Sequence, residues 1–192
     1  MKVLGIYGSP RAGGNSDILL DQALEAARQA GAEVKAVYVR DLDISGCLEC
    51  GGCDETGQCV VADDMDKVYP QLEEAQAVIL STPIFFYNVP AQAKALIDRA
   101  QACWAKRLLK KGKDRGKYEG GKGYLIAVGA TKGQNLFQGV ELTAKYFFDA
   151  MDMSYHGGLL HRGIEAKGSV NDHPEILEEA RQLGRDVASG QA

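Results

Sequence analysis

Residues 2–16 read as a short strand, a glycine-rich turn and the start of a helix, and they decide the architecture of the rest of the chain. Val3, Leu4, Ile6 and Tyr7 form an apolar run closed by Gly8. With apolar side chains at odd and even positions alike, the run suits a strand buried on both faces, and such strands belong to parallel sheets covered by helices above and below. From residue 16 onward Ile18, Leu19, Gln22, Ala23, Ala26, Ala27 and Ala30 share one face at helical spacing, ending at Gly31. Val34, Ala36, Val37 and Val39 then make a second strand. Strand, helix, strand is the signature of a right-handed parallel crossover.

The same alternation continues. Residues 41–64 break all periodicity, after which residues 65–74 read as a short helix turning Met65, Val68 and Leu72 inward. Residues 77–82 are another buried strand, stopped by Pro83, and residues 83–90 are a loop rich in aromatics with two prolines. A helix is expected from Pro90 to about residue 109, with Ala93, Leu96, Ile97, Ala100 and Trp104 as its buried stripe. Residues 106–122 read as a basic, mobile surface connection. A fourth strand over 123–128, a loop over 129–134, a helix over 136–151 with Val140, Ala144, Phe147 and Phe148 inward, a weaker strand over 153–160 and a last helix over 173–188 complete the chain. With no internal repeat and no linker, residues 1–192 are expected to form one α/β domain, a doubly wound three-layer sandwich. Its five-stranded parallel sheet should have the order 2-1-3-4-5, with residues 41–64 inserted as a cysteine-rich loop after strand 2. In that order a ligand sits outside the strand C-termini at the switch between strands 1 and 3, where residues 9–16, 83–88 and 129–134 meet.

The first of these segments has anion chemistry. Gly8-Ser9-Pro10-Arg11-Ala12-Gly13-Gly14-Asn15-Ser16 offers hydroxyls, a guanidinium and glycines that let backbone N–H groups converge on a phosphate. Asn15 or Ser16 can cap the helix behind it, whose dipole adds positive potential. No Gly-Lys-Ser/Thr ending is present, and Gly5-x-x-Gly8 lacks the three-glycine dinucleotide fingerprint, so the terminal phosphate of a mononucleotide fits best. Asp17 argues the other way, placing a negative charge in the first helical turn. A glycine-rich turn with no ligand is the plain alternative, as packing alone is for the aromatic loop.

Composition narrows the partners. A net charge of −4 over 192 residues arises from interspersed charges without a basic stripe, which speaks against nucleic acid and against a membrane surface. Gly5, Gly8 and Pro10 interrupt the N-terminus before a signal-peptide core forms, and no apolar run reaches spanning length, so a cytoplasmic protein is expected.

A phosphate at one loop and a flat ring against another describe FMN. Gly8-Ser9-Pro10-Arg11-x-x-Gly14-Asn15-Ser16, then Ser81-Thr82-Pro83-Ile84-Phe85-Phe86, then Lys94-Ala95-Leu96-Ile97-Asp98-Arg99 resemble, in the same order and over nearly the whole chain, the NADPH-dependent FMN reductase branch of the flavodoxin superfamily. The resemblance implies a flavodoxin-like fold with FMN phosphate on Ser9, Arg11, Gly14, Asn15 and Ser16. It also implies isoalloxazine contacts from Pro83, Ile84, Phe85, Phe86 and Asn88, with Gly129 to Thr131 closing the other side. Relatives often carry Tyr and Trp or Gly where this chain has Phe85, Phe86 and Tyr87. Hydride chemistry belongs to the flavin, so no catalytic side chain is named.

The cysteines are the sharpest signal. Cys47-x-x-Cys50-x-x-Cys53-x5-Cys59 lies on a loop with Gly46, Gly51, Gly52 and Gly57, which permit the tight wrapping of four thiolates around one centre. Thiolate-only sets suit zinc or an iron–sulfur cluster, while unmetallated thiols, or less readily a disulfide, remain open on the residues alone. The last spacer of five, with Val60 after Cys59, departs from the bacterial ferredoxin run. It is instead similar to the iron–sulfur flavoprotein family, which implies Cys47, Cys50, Cys53 and Cys59 as ligands of a [4Fe–4S] cluster exchanging electrons with FMN. Asp63-Asp64-Met65 comes after the motif as in relatives. Cys103 reads as an ordinary buried cysteine, and His156, His161 and His173 have no metal-like spacing.

The expected function is an FMN-dependent oxidoreductase that passes electrons between a ferredoxin-like donor, a [4Fe–4S] cluster, FMN and a small acceptor. The second reading is an NAD(P)H-dependent reductase of quinones, nitro compounds or free flavin, without a cluster. A third is a non-catalytic flavodoxin-like carrier or a zinc-stabilised binding module. A flavin at an exposed edge calls for a cover, and the resemblance implies a homodimer, or a homotetramer, with one subunit's cluster near its partner's flavin.

Overall fold

The computed structural model describes residues 1–112, 116 and 118–190. Among these residues five strands, β1 Lys2–Tyr7, β2 Glu33–Tyr38, β3 Ala77–Pro83, β4 Gly121–Gly129 and β5 Met153–Arg162, pair in the order β2-β1-β3-β4-β5, every pair parallel. Six α-helices alternate with them: α1 Asn15–Gln29, α2 Met65–Glu74, α3 Ala91–Arg99, α4 Gln101–Lys111, α5 Gln138–Ala150 and α6 Pro174–Ser189. No helix of the described residues is long and apolar enough to cross a membrane.

The side-chain period of two along the strands generates the layers. Leu4 and Ile6 of β1, Val78 and Leu80 of β3, and Leu125 and Ala127 of β4 face one way, onto Met65, Val68 and Leu72 of α2, Leu96 of α3, and Val140, Ala144 and Phe147 of α5. Val3 and Tyr7, Ala77 and Ile79, and Tyr124, Ile126 and Val128 face the other way, onto α1 and α6. Each large aliphatic side chain buried in this way contributes about 1.5–3 kcal/mol, which is why the central strands are apolar throughout. Helices α1 and α6 approach closely because position 184 is glycine: a Cβ there would stand 1.9 Å from the Ala23 carbonyl oxygen.

Several boundaries differ from the sequence expectation. The helix expected from residue 90 to about 109 is two helices, broken at Ala100, where ψ opens to −3°. Neither proline nor glycine marks the break, so apolar spacing alone does not show it. The basic connection begins later than residue 106, since α4 runs to Lys111 and closes on Gly112. Two of its basic residues are turned onto carboxylates: Arg107 pairs with Asp149 and Asp152, and Lys111 with Asp152. Residues 113–115 and 117 of that expected mobile connection lie outside the described residues. Finally, β5 extends to Arg162, and Val39 belongs to a 3-10 turn, Val39–Asp41, rather than to β2.

Candidate functional site

The C-terminal ends of β1, β3 and β4 lie side by side, and the loops leaving them enclose a cavity of about 250 Å³. Ser9, Arg11, Gly14, Asn15 and Ser16 line it from the first loop, Pro83, Ile84 and Phe85 from the second. Val128 and Ala130 line it from the third. The sheet order thus brings the phosphate turn and the aromatic turn together. The first turn starts at Gly8, whose N–H donates to the Ser81 carbonyl at 2.7 Å; an added Cβ would meet that oxygen at 2.9 Å.

Helix α1 begins with no side-chain cap; Gly14 occupies the capping position, and Asn15 and Ser16 are the first helical residues. This corrects the expectation that Asn15 or Ser16 caps the helix. The Asn15 carboxamide is used elsewhere: it donates to the Ala166 carbonyl at 2.8 Å and accepts from the Val170 N–H at 3.2 Å. Its side chain therefore stitches the segment after β5 to the turn, and what Asn15 offers an anion is its backbone N–H. The N–H groups of an uncapped first turn have no intrahelical partner, and together with the helix dipole they form an anion site. The Ser9 hydroxyl accepts from the Arg11 N–H at 3.1 Å, which folds the loop back on itself. Arg11 then lies over the helix start, where a Cβ on Gly14 would stand 3.7 Å from its Nε.

Asp17 does not point its charge at this site unopposed. Its Oδ2 accepts from the Gly13 N–H at 3.0 Å and from Arg40 at 2.9 Å. Burial pushes the carboxyl up from its ordinary value against the pull of Arg40 and the Gly13 N–H. Arg40 in turn stands 4.9 Å over the ring of Tyr38, which stacks on Tyr7 at 4.3 Å. Three residues missed in the sequence complete the surroundings. Ile164 and Glu165 line the cavity, and Lys167 comes within 3.9 Å of where a Gly13 Cβ would be. They lie some 150 positions from the turn, and only the docking of the segment after β5, through Asn15, makes them neighbours.

The aromatic turn is a tight hairpin. Phe85 and Asn88 exchange both backbone hydrogen bonds, at 2.8 and 2.9 Å, and the two residues between them, Phe86 and Tyr87, both have positive φ, 48° and 65°. Two residues with positive φ between paired strand ends make a type I′ turn, unusual for bulky side chains. Phe86 is 99% exposed and Asn88 caps its own turn through the Val89 N–H. Of the expected ring contacts, Pro83, Ile84 and Phe85 line the cavity, whereas Phe86 and Asn88 do not. Gly129 lies under Leu136, where a Cβ would meet that side chain at 2.6 Å, and Thr131 is exposed beyond Ala130.

The four clustered cysteines share a second concavity. Cys47, Cys50, Cys53 and Cys59 line a basket of about 590 Å³, closed by Asp98, Arg99, Gln101 and Ala102 at the junction of α3 and α4. Burial first, then Asp54 and the neighbouring thiols of Cys59 and Cys47, push the Cys53 thiol up. The mouth of the loop is tied shut by carboxylates. Asp64 accepts from the Asp43 N–H at 2.9 Å, and Asp63 accepts from the N–H groups of Ser45 and Met65 and from the Arg99 guanidinium. Among the described residues no three His, Cys, Asp or Glu side chains converge closely enough for a single metal ion. A zinc ion needs its sulfurs gathered about 2.3 Å from one point, whereas four thiolates of a [4Fe–4S] cluster are held apart by the cluster's own bulk. Four thiols on one concavity are the donor set that either group would draw on. Cys103 stands outside it; burial and Glu73 push its thiol up to about 12, so it stays protonated.

Comparison with known proteins agrees with this geometry. The NADPH-dependent FMN reductase family matches residues 1–158. An iron-sulfur flavoprotein of Methanocaldococcus jannaschii is 32% identical over 98% of this chain and 96% of its own length. An iron-sulfur flavoprotein of Archaeoglobus fulgidus is 36% identical over 98% of this chain and 79% of its own. Among solved structures, a flavone reductase superposes with a TM-score of 0.71 at 20% identity, covering 100% of this chain and 63% of that one, a likeness of fold alone. The family match takes in the phosphate turn, the cysteine loop, the aromatic turn and strands β1 to β4, and on it this flavodoxin-like, FMN-dependent oxidoreductase belongs to the NADPH-dependent FMN reductase family.

Proposed function

We propose that this oxidoreductase passes electrons between a ferredoxin-like one-electron donor, a [4Fe–4S] cluster on Cys47, Cys50, Cys53 and Cys59, FMN and a small acceptor. The observation that carries the reading is the basket: four thiols on one concavity, its mouth closed by buried charge, in a chain whose near full-length relatives are named iron-sulfur flavoproteins. FMN supplies the exchange between two-electron and one-electron chemistry, and a cluster supplies one-electron carriage. The protein's part is to bind and orient. In this reading the first-turn N–H groups of α1, with Ser9, Arg11, Gly14, Asn15 and Ser16, hold the phosphate. Pro83, Ile84 and Phe85 flank the ring system, with Phe86, Asn88, Gly129 and Thr131 at its margin.

A cavity of about 250 Å³ is smaller than the roughly 300–1,000 Å³ of a complete small-molecule site. It suits the phosphate and sugar-alcohol chain, with the ring lying out over the aromatic turn at the molecular edge. Labile thiolates and a low-potential donor belong to a reducing cytoplasm, which this reading takes as the protein's compartment.

The family match supports a second reading, an NAD(P)H-dependent FMN, quinone or nitro reductase in which the cysteines carry nothing. Purification without air, with iron, sulfide and flavin measured per chain, separates the two. Four irons and one FMN with broad visible absorbance beyond the flavin bands are expected; flavin without iron, with full NADPH turnover, would establish the second reading.

A further inference from the structure

Arg99 ends the Lys94 to Arg99 stretch, and its side chain is fully buried, 0% exposed, beside the cysteine basket that it helps to line. Both Nη nitrogens of the guanidinium are engaged. Nη1 donates to the Ser45 carbonyl at 3.1 Å and to Asp63 Oδ2 at 2.5 Å, and Nη2 donates to the Val61 carbonyl at 3.0 Å. Those acceptors stand on both sides of the cysteine loop, before Cys47 and after Cys59, so Arg99 draws the mouth of the loop together. The third donor, Nε–H, is buried and has no hydrogen-bond partner. Burial works against the charge of Arg99, yet Asp63, Tyr69 and the Cys59 thiol hold it firmly cationic. Cys59 and Arg99 line the same basket. A buried cation with a donor left over, on the wall of a thiolate basket, is suited to an acceptor that the basket itself would hold.

We propose that Arg99 positions the cysteine centre and sets its reduction potential: the Nη groups close the loop, and Nε–H is reserved for a sulfur of the bound cluster, a Cys59 thiolate or an inorganic sulfide. The inference rests on the cluster reading above. The couple takes up one electron from the donor and gives one up to the flavin, and no bond to Arg99 forms or breaks. Each electron adds one negative charge to the centre, so a buried cation and a hydrogen bond to sulfur favour the reduced form and raise the potential. Asp63 partly cancels the cation. The two partners of one ion pair should therefore move the potential in opposite directions, which a purely structural clamp does not do.

The test is an anaerobic redox titration with dithionite, followed by the electron paramagnetic resonance of the reduced centre, with iron and sulfide counted per chain. Arg99→Gln is expected to make reduction at least tenfold less favourable, a downward shift of about 59 mV for a one-electron couple. Asp63→Asn, which leaves the cation uncompensated, should shift it upward. Arg99→Lys, which keeps the charge but loses the planar fork and its Nε–H, should fall between wild type and Arg99→Gln. Potentials unmoved in iron-replete variants, or moved the same way by the Arg99 and Asp63 substitutions, overturn the proposal. If Arg99→Gln fails to retain iron, the Lys and Asn variants carry the same decision. A wild-type chain without iron overturns the cluster reading and this inference with it, whereas wild-type iron with unmoved potentials overturns this inference alone.

Discussion

Asp17 illustrates how a carboxylate can stand in the first turn of a helix without closing the anion site there. Read from the sequence it opposes a phosphate; in the fold its Oδ2 accepts from Arg40 and the Gly13 N–H, and Asp17 is not among the residues that line the cavity. The pair is largely buried, with the Asp17 side chain 4% and the Arg40 side chain 16% exposed. Removing one partner of such a pair leaves the other uncompensated, at a cost of about 3–5 kcal/mol when burial is complete. Arg40→Met should therefore lower unfolding stability toward that figure and release negative charge beside the phosphate turn, weakening FMN binding in a fluorescence titration. Adding Asp17→Asn should restore a large part of both. If the double variant is no better than Arg40→Met, then Asp17 is not the source of the defect and Arg40 acts directly on the ligand. The partnership was not legible in the sequence, because 23 positions separate the two residues and only the parallel pairing of β1 with β2 makes them neighbours.

At the scale of elements, apolar runs and their alternation carried most of the information. Strands buried on both faces and helices with one apolar stripe are written directly into residue order, so the sheet order 2-1-3-4-5 and the convergence of three loops result from local pattern plus topology. What depended on long-range side-chain contacts was not legible: the break at Ala100, the extension of α4 to Lys111, and the tie from Asn15 to the segment after β5. The break matters most, since it is what turns Arg99 and the start of α4 onto the cysteine loop. The clamp made there has a pH signature. Burial raises the Asp63 carboxyl, but Arg99 and the N–H groups of Met65 and Ser45 outweigh it and hold the carboxyl below its ordinary 3.8. A carboxylate depressed in the folded state contributes stability that is fully present above its unfolded value and lost as pH falls through its folded value. The stability gap between wild type and Asp63→Asn, read from urea midpoints, should hold steady from neutral pH down to about pH 4 and shrink below it. A gap that widens on acidification would show that Asp63 is protonated in the native clamp.

For the whole molecule, the question is what covers the ring system and the basket. The aromatic turn leads straight into α3 and the basket closes on its other end; nine residues of helix span about 13 Å, so the two centres sit at opposite ends of one short element. Beside them runs an apolar groove of about 470 Å³ between α4 and α5, lined by Trp104, Leu142, Tyr146 and Phe147, with Leu142 and Tyr146 more than half exposed. Asp98 and Gln101 line both this groove and the basket, so a body seated on the groove reaches the cysteines as well. We propose a second copy of the chain as the occupant, in a two-fold arrangement that would bring each basket toward the other subunit's ring edge. Such an interface needs roughly 1,200–2,000 Å² of buried surface, and charges set into its apolar centre are costly to desolvate. Leu142→Glu with Tyr146→Glu should therefore halve the mass measured by light scattering at micromolar concentration. Iron and flavin per chain should stay close to wild type, while electron transfer from centre to ring slows in stopped-flow reduction. A wild-type chain that is monomeric under those conditions, or a double variant of unchanged mass, would place the interface elsewhere or remove it, and the ring edge would then be covered by the electron-transfer partner itself.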